Sequence, residues 1–117
     1  MSLFSIYHNP RCSKSRQTLA LLEEHGIEPE VILYLEQTPN ASALKAVLAK
    51  LDIKARALLR KGEGAYKEQG LADTTLTDAH LIKMMCQFPK LIERPIVIKG
   101  NKAVLGRPPE NVLALIK

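Results

Sequence analysis

An α/β fold built on a small mixed sheet is what this sequence predicts, and three observations lead there. Residues 3–7 are strand-like, a helical pattern follows, and a second apolar run occupies residues 30–34. Strand, helix and strand within about thirty residues form a βαβ unit, whose crossover makes its strands parallel and right-handed. Towards the other end, Ile96-Val97-Ile98 and Ala103-Val104-Leu105 flank Lys99-Gly100-Asn101-Lys102. Glycine and asparagine tolerate positive φ, so that gap signals a hairpin. Between the two strand-bearing ends lies a long stretch whose only periodicity is helical.

Taken in order, Leu3-Phe4-Ser5-Ile6-Tyr7 has the aromatic and aliphatic content of a strand. His8-Asn9-Pro10-Arg11 breaks it, because asparagine and proline punctuate chains and proline restricts the residue before it. The next helix carries Thr18, Leu19, Leu21 and Leu22 on its apolar side, and Gly26 closes it as a C-terminal cap. Glu30-Val31-Ile32-Leu33-Tyr34 is nearly all apolar and reads as a strand covered on both faces. Thr38-Pro39-Asn40 offers caps for a helix through Leu51, with Leu44, Val47, Leu48 and Leu51 at the i, i+3, i+4, i+7 spacing. Residues 54–60 read as a short helix interrupted by Gly62-Glu63-Gly64, and a further helical piece at residues 66–69 ends at Gly70. Thr77 or Asp78 then caps a helix with Leu81, Ile82 and Met85, which stops before Pro89. Pro108 and Pro109 open a last helix, where a missing N–H costs nothing, with Val112, Leu113 and Ile116 inward. The order is βα, β, helical insert, ββα. That layout matches a thioredoxin-like fold: a four-stranded mixed sheet flanked by helices, with an insert at about residues 39–88.

The 117 residues predict one domain spanning 1–117, large enough for a real core and too small for two. No apolar run approaches the ~20 residues of a membrane helix, and the N-terminus lacks the layout of a signal peptide. Cys12 and Cys86 are no disulfide framework, so a reducing cytoplasmic setting is expected. The net charge of +5 suits a nucleic-acid surface, an anionic partner or plain solubility. The cations are dispersed and only Phe4, Phe88 and three tyrosines could stack on bases, which disfavours nucleic acid and fits a small anionic substrate better.

Chemistry concentrates at Cys12, in the turn between the first strand and its helix. Unpaired N–H groups and the helix dipole favour negative charge there, and Arg11, Lys14 and Arg16 add cations. Such settings favour the thiolate, the nucleophilic form of cysteine. Ser15 follows in a Cys-x-x-Ser arrangement that cannot close its own disulfide, so an oxidised or adduct form of Cys12 needs an outside thiol. Ser15 has two compatible readings: a first-turn residue bonding backbone, or a contact to the thiolate. His8 is either a cation supporting the thiolate or a hydrogen-bonded turn residue. Pro95 stands at the first residue of a strand, where proline is tolerated. In a thioredoxin-like layout this proline is usually cis and faces the active-site cysteine. Arg60, Arg94 and Arg107, taken singly, read as solvated charges, and spacing does not bring them together. Cys86 lies among apolar helix residues and reads as core packing. No metal-ligand spacing and no Gly-rich phosphate loop occur, so neither a metal nor a bound cofactor is expected.

The segment Tyr7-His8-Asn9-Pro10-Arg11-Cys12-Ser13-Lys14-Ser15-Arg16-Gln17-Thr18-Leu19 resembles the active-site segment of the glutaredoxin-coupled arsenate reductases. Ile32-Leu33-Tyr34-Leu35-Glu36, Arg56-Ala57-Leu58-Leu59-Arg60, Arg94-Pro95-Ile96-Val97 and Gly106-Arg107-Pro108-Pro109-Glu110 resemble that family too, in order across the chain. The resemblance implies a thioredoxin fold with a helical insert. It also implies Cys12 as nucleophile, Arg60, Arg94 and Arg107 as an oxyanion-binding trio, and His8 as an aid to the cysteine. Guanidinium groups bond oxyanions in a fork and keep their charge, which suits arsenate. The expected reaction is a covalent Cys12–arsenate adduct, reduction by glutathione as co-substrate, and clearance of the mixed disulfide by glutaredoxin. Two other functions remain open. One is a thiol oxidoreductase, or a handler of glutathione adducts, with the same fold and another substrate. The other is an Spx-like regulator of RNA polymerase, against which Ser15 argues because such regulators typically carry Cys-x-x-Cys.

Overall fold

The computed structural model describes residues 3–116. The chain divides into two compact units: residues up to Gln37 together with those from Arg94 onward, and the segment Thr38–Glu93. The first is a thioredoxin-like sheet unit. The second is the helical insert, five residues longer at its C-terminal end than the expected 39–88.

In the sheet unit, β1 (Phe4–Tyr7) leads to α1 (Ser13–Glu24) and β2 (Glu30–Ile32), and β3 (Ile96–Lys99) to β4 (Lys102–Leu105). The order across the sheet is β2-β1-β3-β4. β1 and β2 are parallel, as the crossover requires, while β3 runs antiparallel to both β1 and β4. Ile6 pairs with Val97, and the two fill one face of the sheet with Leu22 of α1 and with Val112 and Leu115 near the C-terminus. Alternation along β1 sends Tyr7 to the opposite face, where the Tyr34 ring stacks on it at 6.3 Å between centroids. β3 and β4 meet through Gly100 and Asn101, with Gly100 at φ 59°.

α1 ends as expected. Ile27 N–H reaches Leu22 O and Gly26 N–H reaches Glu23 O around Gly26 at φ 75°, the left-handed closure that glycine adopts without strain. Its fully inward positions are Ser15, Thr18 and Leu22, so the buried stripe of this helix is largely hydroxyl-lined, and Leu19 and Leu21 lie at its margins.

Two expectations fail in this unit. β2 is an edge strand of three residues rather than a doubly covered strand of five, and Val31 is 41% exposed. The chain turns at Leu33, whose carbonyl accepts Glu36 N–H and Gln37 N–H, so Tyr34 is buried from a turn rather than a strand. Pro108 does not open the last helix: it is extended, at φ −70° and ψ 163°. A 3-10 turn starts at Pro109 and runs into the short α6 (Leu113–Ile116). Lys99 Nζ donates to Leu115 O, a cation at the negative end of that helix.

The insert contains α2 (Ala41–Leu51), α3 (Ala55–Leu58), α4 (Gly64–Glu68) and α5 (Asp78–Gln87). Asn40 caps α2 by accepting Ala43 N–H, and Thr77 caps α5 by accepting His80 N–H. α2 and α3 pack on α5, burying Leu44, Val47, Leu48, Leu58, Leu81 and Met85. Among the described residues, no helix is long and apolar enough to cross a membrane.

Candidate active site

The end of β1 is pinned before the chain reaches Cys12. His8 N–H continues the pairing with β2 by donating to Ile32 O at 2.9 Å. Asn9 then folds the loop on itself: its Oδ1 accepts Arg11 N–H, and its carbonyl accepts Cys12 N–H, both at 3.0 Å. Arg16 Nη1 bonds Pro10 O at 2.8 Å from the helix side.

Cys12 occupies the N-cap of α1 in an extended conformation, and its side chain makes no capping hydrogen bond. The sulfur is therefore left over the helix N-terminus, whose first turn holds no acidic residue to offset the dipole. The guanidinium that reaches it is Arg107, with Nη1 4.0 Å from Sγ and 3.3 Å from Arg94 O. This cation comes from the turn after β4. Arg11, Lys14 and Arg16 are exposed, and Arg16 is engaged with the loop backbone instead.

Ser15 is fully buried; its Oγ lies 2.7 Å from His8 Nδ1 and accepts Asn9 N–H at 3.0 Å. Of its two sequence readings, the backbone-bonding one is what the geometry displays. Burial, reinforced by the Arg16 charge, pushes His8 below its ordinary value of 6.5. Of the two sequence readings of His8, this direction and the contact to Ser15 favour the hydrogen-bonded turn residue over the supporting cation. The assignment that uses every group has Ser15 accept from Asn9 and donate its own hydrogen to Nδ1.

The three arginines are distributed over both units. Arg94 buries its Nε and Nη1 atoms, and its carbonyl holds Arg107. Arg60 belongs to the insert, where Leu59 bridges Ile92 and Arg60 N–H donates to Leu91 O. Its guanidinium lies 3.1 Å from Glu63 Oε2 and 3.5 Å from Glu93 Oε1. Arg94–Pro95 is cis, and Arg107–Pro108 is a second cis peptide that nothing in the sequence announced. Burial on α5 pushes the Cys86 thiol up, in keeping with a packing role. Among the described residues, no three His, Cys, Asp or Glu side chains cluster as a metal site.

Sequence reasoning put Thr18 on the apolar side of its helix and gave neither it nor Gly106 a role, so their contact was missed. Thr18 is fully buried, with its hydroxyl 3.2 Å from Gly106 O. No apolar period marks such a pair. The only sequence signal was a hydroxyl standing on an otherwise leucine-rich face.

The chain is similar to known proteins over almost its whole length. The ArsC family matches residues 7–115. An Escherichia coli K12 protein carrying the name "Uncharacterized protein YfgD" is 54% identical over 112 residues, spanning 95% of this chain and 94% of its own. A Haemophilus influenzae protein named "Arsenate reductase" is 47% identical over 112 residues, covering 95% of this chain and 97% of its own. A solved structure, "Arsenate reductase from Vibrio cholerae", superposes with a TM-score of 0.93 at 52% identity, over 95% of each chain.

Proposed function

This chain belongs to the ArsC family, and from that premise we propose that it is an oxidoreductase that reduces arsenate to arsenite, with Cys12 as nucleophile. The observation that carries the reading is the placement of the Cys12 sulfur at a helix N-terminus, 4.0 Å from Arg107 Nη1. A tetrahedral oxyanion with negative charge repels a thiolate. A guanidinium and unpaired helix N–H groups beside the sulfur offset that repulsion and stabilise charge on the oxygens as the S–As bond forms.

In the proposed sequence Cys12 attacks arsenic and one oxygen departs as water after taking up protons. The product is a thiol–arsenate adduct with arsenic still in its higher oxidation state. Glutathione then supplies the second thiol. The two sulfurs join as a mixed disulfide and give up two electrons, which reduce arsenic and release arsenite. Glutaredoxin returns Cys12 to its thiol by exchange. The Cys-x-x-Ser pattern supports an outside thiol, since Ser15 has no sulfur and its oxygen is engaged with Asn9 and His8. Arg94, whose carbonyl accepts from Arg107, completes the anion site in this reading.

The test is arsenite formation from arsenate with glutathione and glutaredoxin, comparing the native chain with Cys12→Ser. Activity is expected in the native chain alone. Turnover retained in Cys12→Ser would falsify the nucleophile, and inactivity of both would remove arsenate as substrate.

A further inference from the structure

Thr18 has no part in the chemistry above, yet it is fully buried. Its hydroxyl stands 2.8 Å from Lys14 O, one turn back on α1, and 3.2 Å from Gly106 O. The single hydroxyl hydrogen is shared between these two carbonyls as a three-centre bond, and its first branch is open to any helical threonine. The second spans 88 residues and joins α1 to the stretch between β4 and Arg107. The other side of the same peptide is held as well, because Gly106 N–H donates to Pro95 O at 2.9 Å.

The approach is close enough to require a glycine. A Cβ at position 106 would lie 2.7 Å from Pro95 Cγ, 2.7 Å from Thr18 Oγ1 and 2.9 Å from Thr18 Cγ2. Those distances are well inside van der Waals contact, so any side chain there must push the segment away from α1. The next residue is Arg107, and the helix that Thr18 belongs to begins at Cys12. The tie therefore links the two groups whose spacing the site depends on.

We propose that Thr18 is a positioning residue: its hydroxyl, bonded to the Gly106 carbonyl across a contact that only glycine permits, sets how near the Arg107 guanidinium stands to the Cys12 sulfur. This deepens the arsenate reading, where Arg107 binds the anion, but it concerns a spacing within the chain and is tested without arsenate.

The readout is the rate of Cys12 alkylation by iodoacetate, an anion, relative to iodoacetamide, which is neutral, in Cys86→Ser protein. The ratio cancels changes in thiolate fraction and keeps the effect of a nearby cation. Arg107→Ala sets the scale, lowering the ratio by about three- to fivefold, the Coulomb effect of one charge at this range in water-like surroundings. Thr18→Val keeps the shape and loses the donor; it is expected to lower the ratio towards the Arg107→Ala value. Thr18→Ser keeps the donor and loses the methyl; it is expected to hold the native ratio. Gly106→Ala is expected to lower it.

A native ratio in Thr18→Val overturns the proposal, even with a lowered Tm, because that is packing alone. An equal fall in Thr18→Ser overturns it too. If Thr18→Val does not fold, a native ratio in Gly106→Ala decides against it. A native ratio in Arg107→Ala removes the premise. Arsenite assays on the same proteins keep the two readings apart: the ratio pattern without arsenate turnover retains the positioning role and discards the substrate.

Discussion

In the sheet unit an imidazole and two aliphatic hydroxyls, those of His8, Ser15 and Thr18, are buried among apolar and aromatic side chains, whereas the insert buries residues such as Leu44, Leu58, Leu81 and Met85 and, among its described residues, no polar side chain. Burying a polar group costs free energy unless it is hydrogen-bonded. Each of the three is bonded, to a partner at 2.7–3.2 Å, and two of them fix the loop before Cys12. A packed apolar core holds helices together but tolerates small readjustment, while satisfied buried polar groups admit few geometries. The comparison shows where this chain needs a defined geometry rather than mere cohesion, and that is around one sulfur atom. The two thiols divide the same way: Cys12 heads a helix beside a guanidinium, and Cys86 sits on α5 with its thiol pushed up by burial.

The sharpest way to strain this contrast is at Arg107. Arg107→Ala should lower kcat/KM for arsenate by about 10²–10³, the usual effect of removing one donor from an anion-stabilising site. Steady-state kinetics measure it, and a loss of less than threefold would mean that Arg107 is a bystander. Next comes the contrast between thiols. Iodoacetamide should label Cys12 roughly tenfold faster than Cys86, by peptide mass spectrometry. Equal rates would break the division between a reactive unit and an inert one.

Ser15→Ala should cost about 1–3 kcal/mol in urea denaturation, since Asn9 N–H and His8 Nδ1 both lose a buried partner. A cost near zero would show the loop to be held by other means. The smallest effect is in pH. His8 is depressed below 6.5 in the fold, so between the folded value and 6.5 the unfolded chain binds more protons and stability rises with pH. The contribution is complete above about pH 6.5 and is lost as pH falls through the folded value. His8→Gln should flatten that slope, and an unchanged slope would assign it to another group.

Local signals carried much of the fold. Asn9 and Pro10 marked the loop before Cys12, Gly26 marked the close of α1, and Asn40 marked the start of α2. Residues 33–34 misled because an apolar run records burial and not conformation, and Tyr34 reaches the core from a turn. The position of Cys12 was legible because a cap is a local feature. Its pairing with Arg107 was legible only through the family resemblance and not from spacing, since 95 residues separate the two and the β3–β4 hairpin lies between them. The two readings of His8 stayed open in the sequence because its charge state depends on burial, which sequence position does not display.

The strand order has a consequence for synthesis. β1 lies between β2, which follows it closely, and β3, which is made only after the whole of Thr38–Glu93. As the chain leaves the ribosome, Cys12 emerges early with β1 and β2, while β3, Gly106 and Arg107 do not yet exist. A contact of such long range forms late. The nascent sulfur therefore lacks its guanidinium until the residues after β4 are added, and a product truncated before them carries the thiol without Arg107.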